Sequence, residues 1–256
     1  MDMIRLLSMD LDDTLLRSDK TISPLTLKTL DRCREKGVLT AFNTARGEIH
    51  CTSLIEQAKP DFVISSGGAM ITRGGELVDA LAFTPAQTRR LIDLGRRENC
   101  PITVDTAGDY FCNDPDYALH YPAGWNRATY SDFSDFREPG LKICMELPNP
   151  ATAARIAAEV DCDWLGFAGG NWYKFTRHGA TKEGALERLG ARTGITWAEM
   201  AAFGDDFSDI GSLRRCGFGI AMANAIPEVR QAADGIAASN DSDGVARWIE
   251  QNVLKD

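Results

Sequence analysis

The chain has 256 residues, of which 44% are hydrophobic and 25% are charged, a composition that is ordinary for a soluble globular protein. Its formal net charge of −9 argues against a nucleic-acid-binding surface, which would carry a basic stripe. No apolar run approaches the roughly 18 residues that a membrane span requires. We therefore expect neither a nucleic-acid partner nor a membrane segment.

Seven cysteines occur without a closely spaced pair, which is typical of reduced thiols. The amino-terminal residues run directly into an apolar stretch and lack the layout of a signal peptide. From these two features we expect a cytoplasmic protein.

The first eighty or so residues alternate apolar stretches with helical patterns. The predicted strands are residues 4–9, 38–42 and 62–64. The first helix begins at Ser23-Pro24, an N-cap followed by a first-turn proline, and the second covers residues 47–58. Continuous apolar strands joined by helices indicate a parallel sheet that is covered on both faces. Glycine pairs at 67–68 and 74–75 then indicate a hairpin.

A different pattern begins at Thr84-Pro85, again an N-cap followed by proline. From there to residue 177 the chain is rich in aromatic residues, and its strand patterns, such as 142–147 and 163–168, lie beside short helices. The strand–helix alternation resumes near Gly179. The sequence therefore predicts an α/β protein with a Rossmann-like parallel-sheet core domain (residues 1–83 and 178–256) and an inserted α+β cap domain (residues 84–177).

Two carboxylates, Asp10 and Asp12, directly follow the first predicted strand. The carboxyl ends of parallel strands are where open α/β sheets bind ligands, although such a cluster is also typical of a solvated turn or an N-cap. A second cluster, Asp205, Asp206 and Asp209, follows an apolar stretch near the other end of the chain. Two such clusters suggest one site assembled from both ends of the fold. Hard oxygen ligands of this kind suit Mg²⁺.

Two further candidates lie between the clusters. Thr44 follows the second predicted strand, and Lys182 lies in the first turn of a predicted helix. A lysine so early in a helix is unfavourable for the helix dipole, and a bound anion would explain it. Taken singly, each residue is more simply interpreted as a turn residue or a solvated surface lysine. The ordered set of carboxylate pair, threonine, lysine and carboxylate cluster favours a common site.

This ordered set resembles the four motifs of the haloacid dehalogenase superfamily of phosphohydrolases, and specifically its Cof-type, type IIB capped branch. The matching segments are 10–15, 44–46, Lys182 and 205–209, with further similarity at 222–225 and 238–245. Three positions depart from the family pattern. Asp206 and Ser208 replace asparagines of the fourth motif, and Gly67-Gly68 replaces the usual Asn-Gly.

The resemblance implies a magnesium-dependent phosphatase that acts on small phosphorylated metabolites, such as sugar phosphates, through an aspartyl-phosphate. Asp10 is the expected nucleophile, and Asp12 is the expected general acid and base. The side chains of Asp10 and Asp205 and the carbonyl group of Asp12 are the expected Mg²⁺ ligands. Asp206 and Asp209 are expected to position these ligands and Lys182.

Phosphate binding is expected from Leu11, Thr44, Ala45, Lys182 and Ser208. Possible substrate contacts are Arg46, Tyr121 and Trp125, although Arg46 fits a core salt bridge equally well.

A phosphomutase on the same scaffold is one alternative to the phosphatase function. A receiver-type phospho-aspartate signalling domain is a second, but in such a domain the acidic pair and the acceptor aspartate lie on different strands.

Overall fold

The computed structural model describes residues 4–116, 128–167 and 170–255, and the chain divides into two compact units. The first comprises Met1–Ala45, Thr52–Asp79 and Thr181–Asp256, and the second comprises Arg46–Cys51 and Ala80–Ala180. The range Ala80–Ala180 spans the predicted cap segment 84–177, and the segment Arg46–Cys51 groups with it.

Contacts within the second unit explain why Arg46–Cys51 groups with it. A Cβ atom on Gly47 would lie 3.3 Å from the Asp105 carboxylate. The His50 ring packs edge-on against Tyr110, with 4.7 Å between ring centroids. Because these contacts are long-range in sequence, no local pattern reveals them.

The strands within the described residues are β1 (Leu6–Met9), β2 (Leu39–Asn43), β3 (Phe62–Ser65), β4 (Met70–Arg73), β5 (Glu76–Ala80), β6 (Ile102–Asp105), β7 (Tyr110–Cys112), β8 (Thr129–Tyr130), β9 (Lys142–Glu146), β10 (Asp163–Gly166), β11 (Trp172–Thr176), β12 (Met200–Gly204), β13 (Phe218–Met222) and β14 (Gly235–Ala237). The α-helices are α1 (Pro24–Glu35), α2 (Thr52–Ala58), α3 (Pro85–Arg97), α4 (Pro150–Val160), α5 (Lys182–Thr193), α6 (Ile210–Arg215), α7 (Pro227–Ala232) and α8 (Gly244–Asn252). No helix among the described residues is both long and apolar enough to cross a membrane.

The first unit is built on an eight-stranded sheet in the order β14-β13-β12-β1-β2-β3-β4-β5. The strands from β14 to β3 are parallel to their neighbours, and β3 turns back antiparallel to β4. The predicted α/β fold class with a parallel-sheet core is therefore confirmed. The central strand β1 is entirely buried and pairs Met9 with Phe203 on one side and with Phe42 on the other.

The helix predicted over residues 47–58 is shorter in the structure. Glu48–Cys51 forms a 3₁₀ turn, and α2 begins only at Thr52. The predicted N-cap at Ser23 is confirmed, since its hydroxyl accepts a hydrogen bond from the Thr26 N–H at 3.0 Å.

The second unit contains a six-stranded sheet in the order β10-β11-β9-β6-β7-β8, and α3 and α4 cover one of its faces. Ile102 and Val104 of β6, with Ile143 and Met145 of β9, point into the apolar core on that face. Alternating residues point to the other face. There Lys142 pairs with Asp105, with Nζ 3.0 Å from Oδ2, although both side chains are almost completely buried.

Breaking this buried pair should destabilise the second unit. Lys142→Met leaves the Asp105 carboxylate buried without this counter-ion, so we expect the free energy of unfolding to fall by about 3–5 kcal/mol in urea denaturation. Arg90→Met is a matched control because Arg90 and its partner Glu159 are 43% and 34% exposed. The control should cost about 1 kcal/mol or less, and equal losses in the two variants would contradict the argument.

Candidate active site

The predicted site residues meet at the carboxyl edge of the parallel sheet. Asp10 follows β1, Thr44 follows β2 and Asp205 follows β12, and these three strands are direct neighbours. The Asp10 N–H donates to the Phe203 carbonyl at 3.1 Å, which fixes the end of β1 against β12. The topology thus brings residues from both ends of the sequence together.

Three carboxylates converge at this edge. Asp10, Asp205 and Asp209 each present an oxygen, and these oxygens all lie within 4.8 Å of one another. Asp10 and Asp209 are buried, and Asp205 is partly buried. Clustered carboxylate oxygens are hard ligands, so this arrangement could hold a divalent cation.

Asp209 is already engaged by protein donors. Its Oδ1 accepts from Lys182 Nζ at 2.6 Å, and its Oδ2 accepts from the N–H groups of Asp205 and Asp206, both at 3.1 Å. A Cβ atom on Gly204 would overlap the Asp209 side chain, so the last residue of β12 must be glycine. These bonds suit Asp209 to positioning its neighbours and leave Asp10 and Asp205 as the better cation ligands.

Lys182 connects the two acidic clusters. It is the first residue of α5 and is 3% exposed, and its Nζ lies 2.8 Å from Asp10 Oδ1 as well as beside Asp209. Burial favours the neutral amine, but the charges of Asp10 and Asp209 outweigh it and raise the pKa of Lys182 above its ordinary value. Lys182 is therefore a fixed positive charge next to Asp10.

The two candidate cation ligands differ in environment. Burial raises the pKa of Asp10 to about 8, against the opposing charge of Lys182. Burial also raises the pKa of Asp205 to about 6, although a hydrogen bond from Thr14 Oγ1 to Asp205 Oδ1 at 2.6 Å acts in the other direction. Without a cation, both groups hold their protons more tightly than ordinary aspartates do.

Asp12 lies outside the three-carboxylate cluster. Its side chain is 34% exposed, and its Oδ1 lies 3.1 Å from Lys20 Nζ. The loop that carries it turns back at Asp13, whose φ of 56° is in the left-handed region. The Asn224 amide donates to the Asp13 carbonyl at 2.7 Å and holds this turn.

The remaining predicted site residues differ in their burial and in the unit to which they belong. Thr44 and Leu11 are buried at the sheet edge, and Ala45 and Ser208 are partly buried. The Asp206 side chain accepts from the Phe207 N–H at 2.7 Å and caps the following turn. Arg46 is buried but belongs to the second unit, and Tyr121 and Trp125 lie outside the described residues.

Sequence reasoning missed Thr14, Lys20 and Asn224, which contact Asp205, Asp12 and the Asp13 carbonyl. Thr14 lies inside the first acidic segment, so its proximity to Asp10 was a usable signal. Asn224 lies inside the segment 222–225 that already resembled the family, but no role followed from the resemblance. Lys20 carries no signal beyond being a lysine in a polar loop.

Comparisons with known proteins agree over nearly the whole chain. A family model described as haloacid dehalogenase-like hydrolase matches residues 7–249. A 5-amino-6-(5-phospho-D-ribitylamino)uracil phosphatase of Bacillus subtilis is 26% identical, over 98% of this chain and 96% of its own length. A solved haloacid dehalogenase-like hydrolase of Bacteroides thetaiotaomicron superposes with a TM-score of 0.84 at 24% identity, covering 97% of this chain and 99% of that chain. A solved subclass IIB sugar phosphatase has a TM-score of 0.83 at 20% identity, covering 96% and 98%.

Cation binding at the carboxylate cluster should strengthen as the pH rises. Because the pKa values of Asp10 and Asp205 are raised to about 8 and about 6, both groups must release protons before they bind a cation. We expect the affinity for Mg²⁺, measured by calorimetry, to increase from about pH 5 to about pH 9 and then to level off. An affinity that does not change over this interval would contradict the assignment of these two ligands.

Proposed function

The chain belongs to the haloacid dehalogenase-like hydrolases, and from this membership we propose that it is a magnesium-dependent phosphatase of small phosphorylated metabolites. The observation that carries the proposal is the buried Lys182 ammonium, which lies between Asp10 and Asp209 while Asp205 completes the carboxylate cluster. The relatives named as phosphatases act on a phosphorylated ribitylaminouracil and on sugar phosphates, which supports this class of substrate.

Asp10 is the proposed nucleophile. Its carboxylate would attack phosphorus, break the bond to the ester oxygen and form an aspartyl-phosphate, which water then hydrolyses. Its backbone is held at the end of β1, and Lys182 holds its Oδ1, so the carboxylate is oriented before a substrate arrives. Such orientation reduces the entropy cost of the attack.

The donor set fits Mg²⁺. The side chains of Asp10 and Asp205 supply hard oxygens within 4.8 Å of each other, and the Asp12 carbonyl is the proposed third ligand. When bound, Mg²⁺ would offset the carboxylate charge and stabilise negative charge on the phosphoryl oxygens. Thr14 and Asp209 keep Asp205 in place through its side chain and its N–H respectively.

Lys182 and Thr44 are the proposed protein groups that hold the phosphoryl oxygens, together with N–H groups near Leu11 and Ala45. Lys182 is suited to this because its charge is fixed and its neighbours prevent it from moving into solvent. Ser208 is also a proposed phosphate-binding residue, and it stands at a position where the family pattern has asparagine.

Asp12 is the proposed general acid for the leaving oxygen and the base for the attacking water. The Asp12 side chain is more exposed than that of Asp10, which allows it to reach a leaving group, and its Oδ1 lies 3.1 Å from Lys20 Nζ.

A phosphomutase would use the same first step but return the phosphoryl group to a substrate oxygen. Family membership sets the receiver-domain alternative aside.

The roles of the two aspartates can be separated with two ester types. Asp10→Asn should reduce release of inorganic phosphate to background on both an aryl and an alkyl phosphate, since no nucleophile remains. Asp12→Asn should lose roughly 10²–10⁴-fold of turnover on the alkyl ester and much less on the aryl ester, whose leaving group needs little protonation.

Asp13→Asn is the matched control, because asparagine tolerates the same left-handed backbone, the Asp13 carbonyl that accepts from Asn224 is kept, and the Asp13 side chain contacts Lys20 at the exposed surface. It should change turnover on either ester by less than about threefold. Appreciable activity of Asp10→Asn, or equal losses on both esters in Asp12→Asn, would contradict the proposed roles. Transfer of the phosphoryl group within the substrate, without phosphate release, would indicate the mutase instead.

A further inference from the structure

The glycine-rich loop 65–68 connects the two groups proposed to hold the phosphoryl oxygens. The Gly67 N–H donates to the Thr44 carbonyl at 3.0 Å. Gly68 lies so close to the peptide between Thr181 and Lys182 that a Cβ atom there would overlap the Thr181 carbonyl oxygen. The loop thus touches the backbone of Thr44 on one side and of Lys182 on the other.

This loop needs outside support to keep its shape. Ser66, Gly67 and Gly68 have φ values of 51°, 71° and 101°, three consecutive residues in the left-handed region. Glycine adopts such values readily, but it also loses the most conformational freedom when it is fixed, and Ser66 is strained. Such a run of left-handed backbone residues is maintained where the surrounding contacts stabilise it.

Arg188 supplies such a contact from the helix that Lys182 begins. Its Nη2 donates to the Gly68 carbonyl at 2.6 Å, and its Nε donates to Asp79 Oδ2 at 2.6 Å. Asp79 lies near the end of β5, so one guanidinium group joins the helix, the loop and the hairpin β4–β5. The Arg188 and Asp79 side chains are 21% and 14% exposed, which limits competition from water.

We propose that Arg188, oriented by Asp79, is a positioning residue that clamps loop 65–68 between Thr44 and Lys182 and thereby sets the spacing of the phosphoryl-binding groups. This inference rests on the proposed phosphatase function. Its bonds to Gly68 and Asp79 place the Arg188 guanidinium on the loop and the hairpin, so it acts on the phosphoryl-binding groups through the loop. Asp205 is held by Thr14 and Asp209, and the Asp10 backbone is held by Phe203, so loss of the clamp should weaken phosphate binding more than Mg²⁺ binding.

Arg192 provides an internal comparison one helical turn further along. Its Nη2 donates to the other oxygen of the same carboxylate, Asp79 Oδ1, at 2.6 Å. The Arg192 side chain is 50% exposed, and its hydrogen bond goes to Asp79, whereas Arg188 also bonds to Gly68. Replacing Arg192 therefore removes an ion pair with Asp79 but leaves the bond to the loop.

The test compares Arg188→Met, Arg188→Lys and Arg192→Met with the wild-type protein. For each variant we would measure kcat and KM on an aryl phosphate, inhibition by orthophosphate, the Mg²⁺ concentration for half-maximal activity, and Tm. Arg188→Met should lower kcat about 10- to 100-fold, as small misplacements at an active site do, and weaken orthophosphate inhibition. Its Mg²⁺ requirement should stay within about twofold of wild type. Arg188→Lys should recover part of the loss because it keeps a donor and the charge.

Arg192→Met should change every kinetic quantity by less than about twofold. The clamp is overturned if Arg188→Met keeps wild-type kcat and phosphate inhibition, or if Arg192→Met loses as much activity. If Arg188→Met does not fold, Asp79→Asn replaces it, and it must lower kcat and phosphate inhibition more than Arg192→Met does. A wild-type protein that cleaves no phosphate ester would refute the proposed function itself, whereas an active wild type with an unaffected Arg188→Met refutes only the clamp.

Discussion

The buried ammonium group of Lys182 between the carboxylates of Asp10 and Asp209 is the interaction on which the site depends. Three carboxylates within 4.8 Å of one another repel, and without a compensating charge their burial would be costly. Lys182 offsets part of that charge and fixes one oxygen of Asp10. Since the Lys182 backbone starts α5, the helix, the first motif and the last motif are held in one arrangement.

Much of the surrounding structure keeps that ammonium group in place. Asn43, at the end of β2, donates to the Lys182 carbonyl at 3.3 Å and to Ser8 Oγ at 3.2 Å, which ties the helix start to β1 and β2. Asp209 in turn is fixed by the N–H groups of Asp205 and Asp206, and Gly204 leaves room for it. The proposed nucleophile is therefore aligned before any ligand binds, directly by Lys182 and indirectly by Asn43 and Asp209, which hold Lys182.

The sequence was sufficient to predict the parallel sheet and the meeting of its motifs, because strand ends in such a sheet lie at one edge. Asp10, Thr44 and Asp205 could be placed this way, and the anomaly of an early helix lysine located Lys182. Other features depend on contacts that local patterns do not contain.

Arg46 groups with the second unit through packing of its segment near Asp105 and Tyr110, and this could not be deduced from its position after Thr44. Arg188 likewise carries no signal in the sequence, since only the fold brings it to the Gly68 carbonyl.

The most direct test of the proposed mechanism is to detect the covalent intermediate. Asp12→Asn protein mixed with an aryl phosphate and Mg²⁺ and quenched in acid should carry one phosphoryl group, and peptide mass spectrometry should place it on Asp10. A phosphoryl group on another residue, or substrate turnover without any labelled protein, would contradict the account.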